Sequence, residues 1–151
     1  MTNKHVAVIM GGWSPERDIS LISGEGCAKA LEASNYQVSR IDAGRNLAEQ
    51  LQAVKPDVVF NALHGVGGED GVVQGLFELL EIPYTHSGVM ASALAMDKIQ
   101  AKKIFAQAGL SVAPDIKVFA GDISNHPMTP PYVVRTNHII FIGIYCFIWS
   151  Y

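Results

Sequence analysis

A chain of 151 residues, 49% of them apolar and 17% charged, has the size and balance of one globular domain with a buried core. A net charge of -3 with dispersed Lys and Arg residues excludes a nucleic-acid footprint. The two cysteines, Cys27 and Cys146, fit neither a disulfide framework nor a zinc-ligand spacing, so no metal is expected on them and a cytoplasmic location suits the chain. The opening MTNKHVAVIM carries an apolar stretch of about six residues, against the roughly 7 to 15 of a secretory core, and reads as a strand.

In chain order, HVAVIM (residues 5–10) is a β-branched run ended by Gly11-Gly12, the form of a strand buried on both faces. Ser14 is expected to cap a helix with Pro15 at its first position, and Ile19, Ile22, Ala30 and Leu31 give it an apolar face to about Ser34. YQVSRI (36–41) reads as a strand, 45–54 as a short helix and PDVVFNAL (56–63) as a buried strand. The glycine-rich loop HGVGGEDG (64–71) leads into a helix with Val72, Val73, Leu76, Phe77, Leu79 and Leu80 at helical spacing, capped by Asp70 and closed before Pro83. IPYTHSG is a short strand and turn, and residues 91–109 read as helix, broken near Asp97 and stopped by Gly109. This alternation predicts an α/β fold, a mostly parallel sheet flanked by helices.

Beyond about residue 111 prolines crowd together, so a boundary is expected near 114–122, dividing a domain at 1–115 from a linker and incomplete second domain at 116–151. PPYVV can start a strand. The terminal IIFIGIYCFIWSY is 13 residues long, short of the roughly 20 that span a bilayer, and reads as core strands without their partners rather than a membrane anchor.

Ligands of parallel sheets collect outside the carboxyl ends of the strands, which is where Gly11–Glu16 and His64–Asp70 emerge. The first loop lacks the third glycine of a dinucleotide fingerprint, which weighs against a nicotinamide-dependent enzyme, and no GK[ST] is present for a P-loop. A first-turn acid beside glycines can instead grip a substrate ammonium through Glu16 while turn N–H groups receive a carboxylate, which describes an amino-acid site. The competing reading of Glu16 is a helix-dipole acid. His64 can donate to a bound carboxylate or simply pack. Glu69 and Asp70 read as caps more readily than as metal ligands, and Lys98 as a surface lysine unless a phosphate lies near.

The segments GGWSPERDISLISG, NALHGVGGEDGVVQGLFELLEIPYTHSGVMASALAMDK and PYVV, in this order and spacing, closely resemble the N-terminal part of the D-alanine:D-alanine ligases, ATP-grasp enzymes of peptidoglycan synthesis. The resemblance covers residue 4 to about residue 134. It implies a Rossmann-like α/β domain preceding an ATP-grasp domain, with ATP and Mg as cofactors and D-alanine as substrate. It also implies a homodimer formed through this domain. In the implied reaction ATP phosphorylates the carboxylate of one D-alanine, the amine of a second attacks the acyl phosphate, and phosphate leaves. The resemblance makes Glu16 the catalytic group that orients the first D-alanine by its ammonium, Ile19 a wall of that pocket, and His64 a neighbour of that substrate. Lys98 would reach nucleotide phosphate, and Arg135 stands where the family has a phosphate-binding Lys.

After PYVV the family continues with Lys-Pro and then Glu-Gly-Ser-Ser, whereas this sequence reads RTNHIIFIGIYCFIWSY. A shifted reading frame and a premature end are expected from that departure. Arg135 keeps a positive charge without the ammonium geometry of Lys. The Mg ligands and the oxyanion-stabilising Arg of the family have no counterpart in these 151 residues, so the chain alone is expected not to ligate. The alternatives are a non-catalytic D-alanine-binding or dimerisation module and a product with no role.

Overall fold

The computed structural model describes residues 4–117. Their elements run β1 (His5–Gly11), α1 (Arg17–Ala33), β2 (Gln37–Ala43), α2 (Leu47–Val54), β3 (Val58–Asn61), α3 (Val72–Leu79), α4 (Val89–Met96) and α5 (Lys98–Gln107). The three strands form a parallel sheet in the order β2-β1-β3. All seven residues of β1 pair with β2, from His5 opposite Gln37 to Gly11 opposite Ala43, and Val6–Ile9 pair with Val58–Asn61 on the other side. The strand-like IPYTHSG contributes a single parallel bridge, Tyr84 to Val59.

Strand alternation divides the core into two layers. Ala7 and Ile9 face Leu47, Leu51, Val73 and Phe77, placing α2 and α3 on one face of the sheet. Val6, Val8 and Met10 face Ala28, with Leu21 and Leu31 packed against them, placing α1 on the other. Burial of each large side chain such as Leu51 or Phe77, both at 0% exposure, contributes about 1.5–3 kcal/mol.

The face that α1 buries differs from the expected one. Ser20, Gly24 and Ala28, spaced four apart, are its buried residues, while Ile19 and Ile22 are 58% and 72% exposed. The reason is the closeness of α1 to β1: a Cβ on Gly24 would lie 2.5 Å from the Cβ of Met10. Small residues define this seam, and the isoleucines expected to face it lie outside it. The start of α1 also moves. Glu16 is the N-cap residue and the first helical residue is Arg17, because Ser14 and Pro15 form a turn closed by a 3.1 Å bond from Arg17 N–H to the Ser14 carbonyl.

Helix ends follow their sequence signals. After α1, Asn35 adopts a left-handed conformation and donates to the Glu32 carbonyl, while Tyr36 N–H reaches Leu31, so the two bonds form a Schellman motif. Glu81 and Ile82 close α3 in the same way onto Glu78 and Phe77.

The chain divides into two compact units, residues 1–96 and 97–151. The expected break near Asp97 coincides with that division: Asp97 caps α5, its carboxylate accepting from Ile99 and Gln100 N–H at 3.0 and 3.1 Å. Gly109 stops α5 with its own N–H on Ala106 and Leu110 N–H on Phe105, and Lys102 pairs with Asp115 at 3.0 Å. The boundary expected at 115 falls within the second unit. The PPYVV strand, Arg135 and the terminal apolar run lie outside the described residues. Among the described residues no helix is long and apolar enough to cross a membrane.

Candidate functional site

Because the order β2-β1-β3 turns the chain back across β1, the loops after β1 and β3 leave neighbouring strands at the same edge of the sheet. They pack on each other directly. Ser14 Oγ donates to the His64 carbonyl at 2.7 Å and accepts from Glu16 N–H at 3.1 Å, so one hydroxyl ties the first loop to the second and sets the entry to α1. Ser20 ties the same loops from beneath. Its Oγ accepts from Gly11 N–H at 2.9 Å and donates to the Ala62 carbonyl at 2.7 Å, both bonds buried.

The second loop is folded by its own polar side chains. Asn61, 2% exposed, holds the Gly68 carbonyl through Nδ2 at 2.9 Å and accepts from Leu63 N–H at 3.1 Å. Gln74 from α3 adds a second donor to the Gly68 carbonyl at 2.9 Å. Asp70 accepts from Gly67 and Val72 N–H at 2.7 and 3.1 Å, so it supports the start of α3 from the residue before the N-cap, Gly71. Glu69 departs from the helix-cap expectation, since its carboxylate accepts from Gly65 N–H at 2.7 Å, clamping the loop instead of the helix.

This scaffold gathers Glu16, His64 and Glu69, each offering one ligand atom, with those atoms all within 4.8 Å of one another. Both glutamates are exposed and His64 is half-buried, so the group opens to solvent on one side and is anchored on the other. The anchor is Ser23, whose Oγ lies 2.9 Å from His64 Nε2. Gly65 leaves the space in front: it has φ +70, and a Cβ there would stand 3.3 Å from both Glu16 Oε1 and Ser14 Oγ. Two carboxylates and an imidazole are a receptor for positive charge, suited to an ammonium group or a small metal cation.

Charge of the opposite sign is spoken for close by. The Arg17 guanidinium forks onto Asp42 at 2.5 and 2.6 Å and also donates to the Gly12 carbonyl at 3.1 Å. The Asp42 hydrogen bond raises the pKa of Arg17, and the reciprocal bond holds Asp42 below the usual carboxylate range. Arg45 lies over the Trp13 ring, 4.5 Å from its centroid, a cation–π contact at the outer side of the first loop.

Of the residues singled out from sequence, Glu16 and His64 come together, and Ile19 stands one turn of α1 beyond Glu16, 58% exposed. Lys98 is exposed at the start of α5, in the second unit. The expected turn N–H receptor for a carboxylate is partly used, since Gly11 and Glu16 N–H already donate to Ser20 and Ser14. Sequence reasoning missed Ser23 and gave Glu69 a different task. Ser23 was legible as the residue seven positions after Glu16, two turns along one helix face. Glu69 was not, because only the fold of a glycine-rich loop brings its carboxylate back to Glu16.

The family model described as "D-ala D-ala ligase N-terminus" matches residues 42–87. A D-alanine–D-alanine ligase B of Brucella suis is 62% identical over 136 residues, which cover 89% of this chain and 44% of that protein. A D-alanine–D-alanine ligase of Sinorhizobium fredii is 60% identical over 136 residues, with the same coverage of both chains. The chain thus spans less than half the length of these relatives. Among solved structures, the D-alanine–D-alanine ligase of Bacillus anthracis complexed with ATP superposes with a TM-score of 0.65 at 36% identity, covering 72% of this chain and 36% of that one. The D-alanyl-alanine synthetase A of Vibrio cholerae superposes with a TM-score of 0.65 at 29% identity, covering 76% and 40%.

Proposed function

Since this chain belongs to the D-alanine–D-alanine ligase family and corresponds to its N-terminal part, we propose that its two sheet-edge loops form the half-site for the first D-alanine of an ATP-dependent ligation. The observation that carries the proposal is the convergence of Glu16, His64 and Glu69 on one point in front of Gly65. Glu16 pairs with the substrate ammonium, supported by Glu69. The exposed Ile19 supplies an apolar wall for the methyl group, and His64 stands beside the substrate. Charge and hydrogen bonding to an ammonium are directional, so the grip also fixes where the substrate carboxylate points, which is the group that reacts.

ATP belongs to the proposal through Lys98, and through Arg135 outside the described residues. The amino end of α5 is already occupied by the Asp97 carboxylate, so it is no nest for phosphate, and Lys98 would act as a point charge on an exposed side chain. The resemblance assigns none of the described residues to Mg. The proposed location is the cytoplasm, where both substrates and the product would be handled. A homodimer through the first unit accompanies the proposal, supported by the exposed apolar side chains Leu79 and Met90, 84% and 83% accessible.

Calorimetry with D-alanine tests the reading. The chain is expected to bind D-alanine in preference to L-alanine. Glu16→Gln is expected to abolish the heat of binding while leaving the unfolding temperature in place. Equal binding by Glu16→Gln would overturn the half-site.

A further inference from the structure

We propose that Ser23 is a positioning residue for His64, holding the neutral imidazole in the tautomer with its proton on Nε2, so that the nitrogen left for a ligand is an acceptor. The hydroxyl of Ser23 has three neighbours: His64 Nε2 at 2.9 Å, the Ile19 carbonyl at 2.8 Å and the Ser20 carbonyl at 3.3 Å. It has one proton to give, and carbonyl oxygens can only accept. If that proton goes to Ile19, the Oγ lone pairs are free to accept from Nε2–H, and both short contacts become hydrogen bonds. If it went to Nε2 instead, Oγ would face the Ile19 oxygen at 2.8 Å with lone pair against lone pair, and one bond would replace two. The helix itself enforces the first arrangement, because a serine hydroxyl in a helix interior returns to the carbonyl four residues back.

The consequence lies on the other side of the ring. A neutral imidazole carries a single N–H, so Nδ1 is bare. With Nε2 taken by Ser23, Nδ1 is the ring nitrogen left to meet a ligand. Two carboxylates and one imidazole lone pair supply three acceptors, one for each N–H of a primary ammonium. This part rests on the reading of the site as an amino-acid half-site, and it turns His64 from a donor to the substrate carboxylate into an acceptor for the substrate ammonium. Ser23 makes no contact with the substrate in this arrangement. It acts through the ring.

The test is the two-bond proton–nitrogen spectrum of the whole chain labelled with 15N-histidine, taken at a pH above the imidazole range, with His64 assigned from His64→Gln. The expected wild-type pattern is a protonated Nε2 and an unprotonated Nδ1. Ser23→Ala is expected to move both nitrogens toward averaged values as the tautomers mix, and Ser23→Thr, which keeps the hydroxyl and its back-bond, to restore the wild-type pattern. In calorimetry D-alanine affinity should fall about two- to tenfold in Ser23→Ala and recover in Ser23→Thr. A wild-type ring protonated on Nδ1, or a Ser23→Ala ring indistinguishable from wild type, overturns the proposal. If wild type and Ser23→Thr show the protonated Nε2 and Ser23→Ala the mixed pattern, but none of the three binds D-alanine, the amino-acid reading fails and the Ser23 assignment stands.

Discussion

Ser20 has no exposure, and its hydroxyl spans the α1–β1 seam, accepting from Gly11 and donating to Ala62. Ser20→Ala removes one oxygen and leaves a buried N–H and a buried carbonyl without partners, each costing about 1–3 kcal/mol. Urea denaturation should therefore show a loss of about 2–4 kcal/mol, with an unchanged slope. Gly65 makes the complementary case at the site. Its φ of +70 costs an L-residue about 1–2 kcal/mol, and an added Cβ would press on Glu16 Oε1 from 3.3 Å. Gly65→Ala is expected to lower both the unfolding temperature and D-alanine affinity, whereas Glu16→Gln should lower the affinity alone. Thermal scans paired with calorimetry separate the two. At this scale the sequence placed Glu16 and His64 beside glycine turns after buried strands, where the fold brings them together, but left each an equally simple structural task, as a helix-dipole acid and a packing histidine. It carried Glu69 poorly, because the choice between capping a helix and clamping a loop is made by which N–H the folded loop brings within reach.

Among the elements, α1 shows most clearly where periodicity misleads. Its most apolar stripe contains Ile19 and Ile22, yet the buried stripe is Ser20, Gly24 and Ala28. Hydrophobicity alone ranks a stripe by what it would gain on burial. A helix lying close against a strand selects instead for what fits. Gly24→Val places carbons where Met10 already sits and is expected to destabilise the chain by about 1–3 kcal/mol, measurable as a shifted urea midpoint. The outer side of the same layer is polar. Arg40 on β2 is bonded to Glu32 at 2.6 and 2.9 Å and to Glu25 at 2.8 Å, tying the strand to α1. Those bonds hold both glutamates below the usual carboxylate range. A carboxylate whose folded pKa is depressed contributes stability that is present above its unfolded pKa and is lost as pH falls through the folded one. Acid titration of stability should therefore be steeper for the wild type than for Arg40→Gln below about pH 5, and the difference should shrink in high salt.

Over the whole chain, the α/β class and the parallel sheet were legible because β1 and β3 are short, apolar, β-branched runs each leading into a glycine-rich loop, the pattern of buried parallel strands. The crossover to β2-β1-β3 was not, since strand order depends on which faces the helices cover and not on the strands themselves. The break between α4 and α5 was visible as an aspartate inside a helical run, and the proline cluster set the expected domain boundary at 115. Light scattering on the purified chain is expected to give a dimer, and substitution of Leu79 and Met90 by Ser, a monomer with the same helix content. The central claim is that a D-alanine ammonium is received between the loops after β1 and β3. Titration of the 15N-labelled chain with D-alanine, followed amide by amide, addresses it most directly. The account predicts saturable shifts concentrated at residues 12–19 and 64–70 that vanish in Glu16→Gln; shifts centred elsewhere, or unchanged by that substitution, would contradict it.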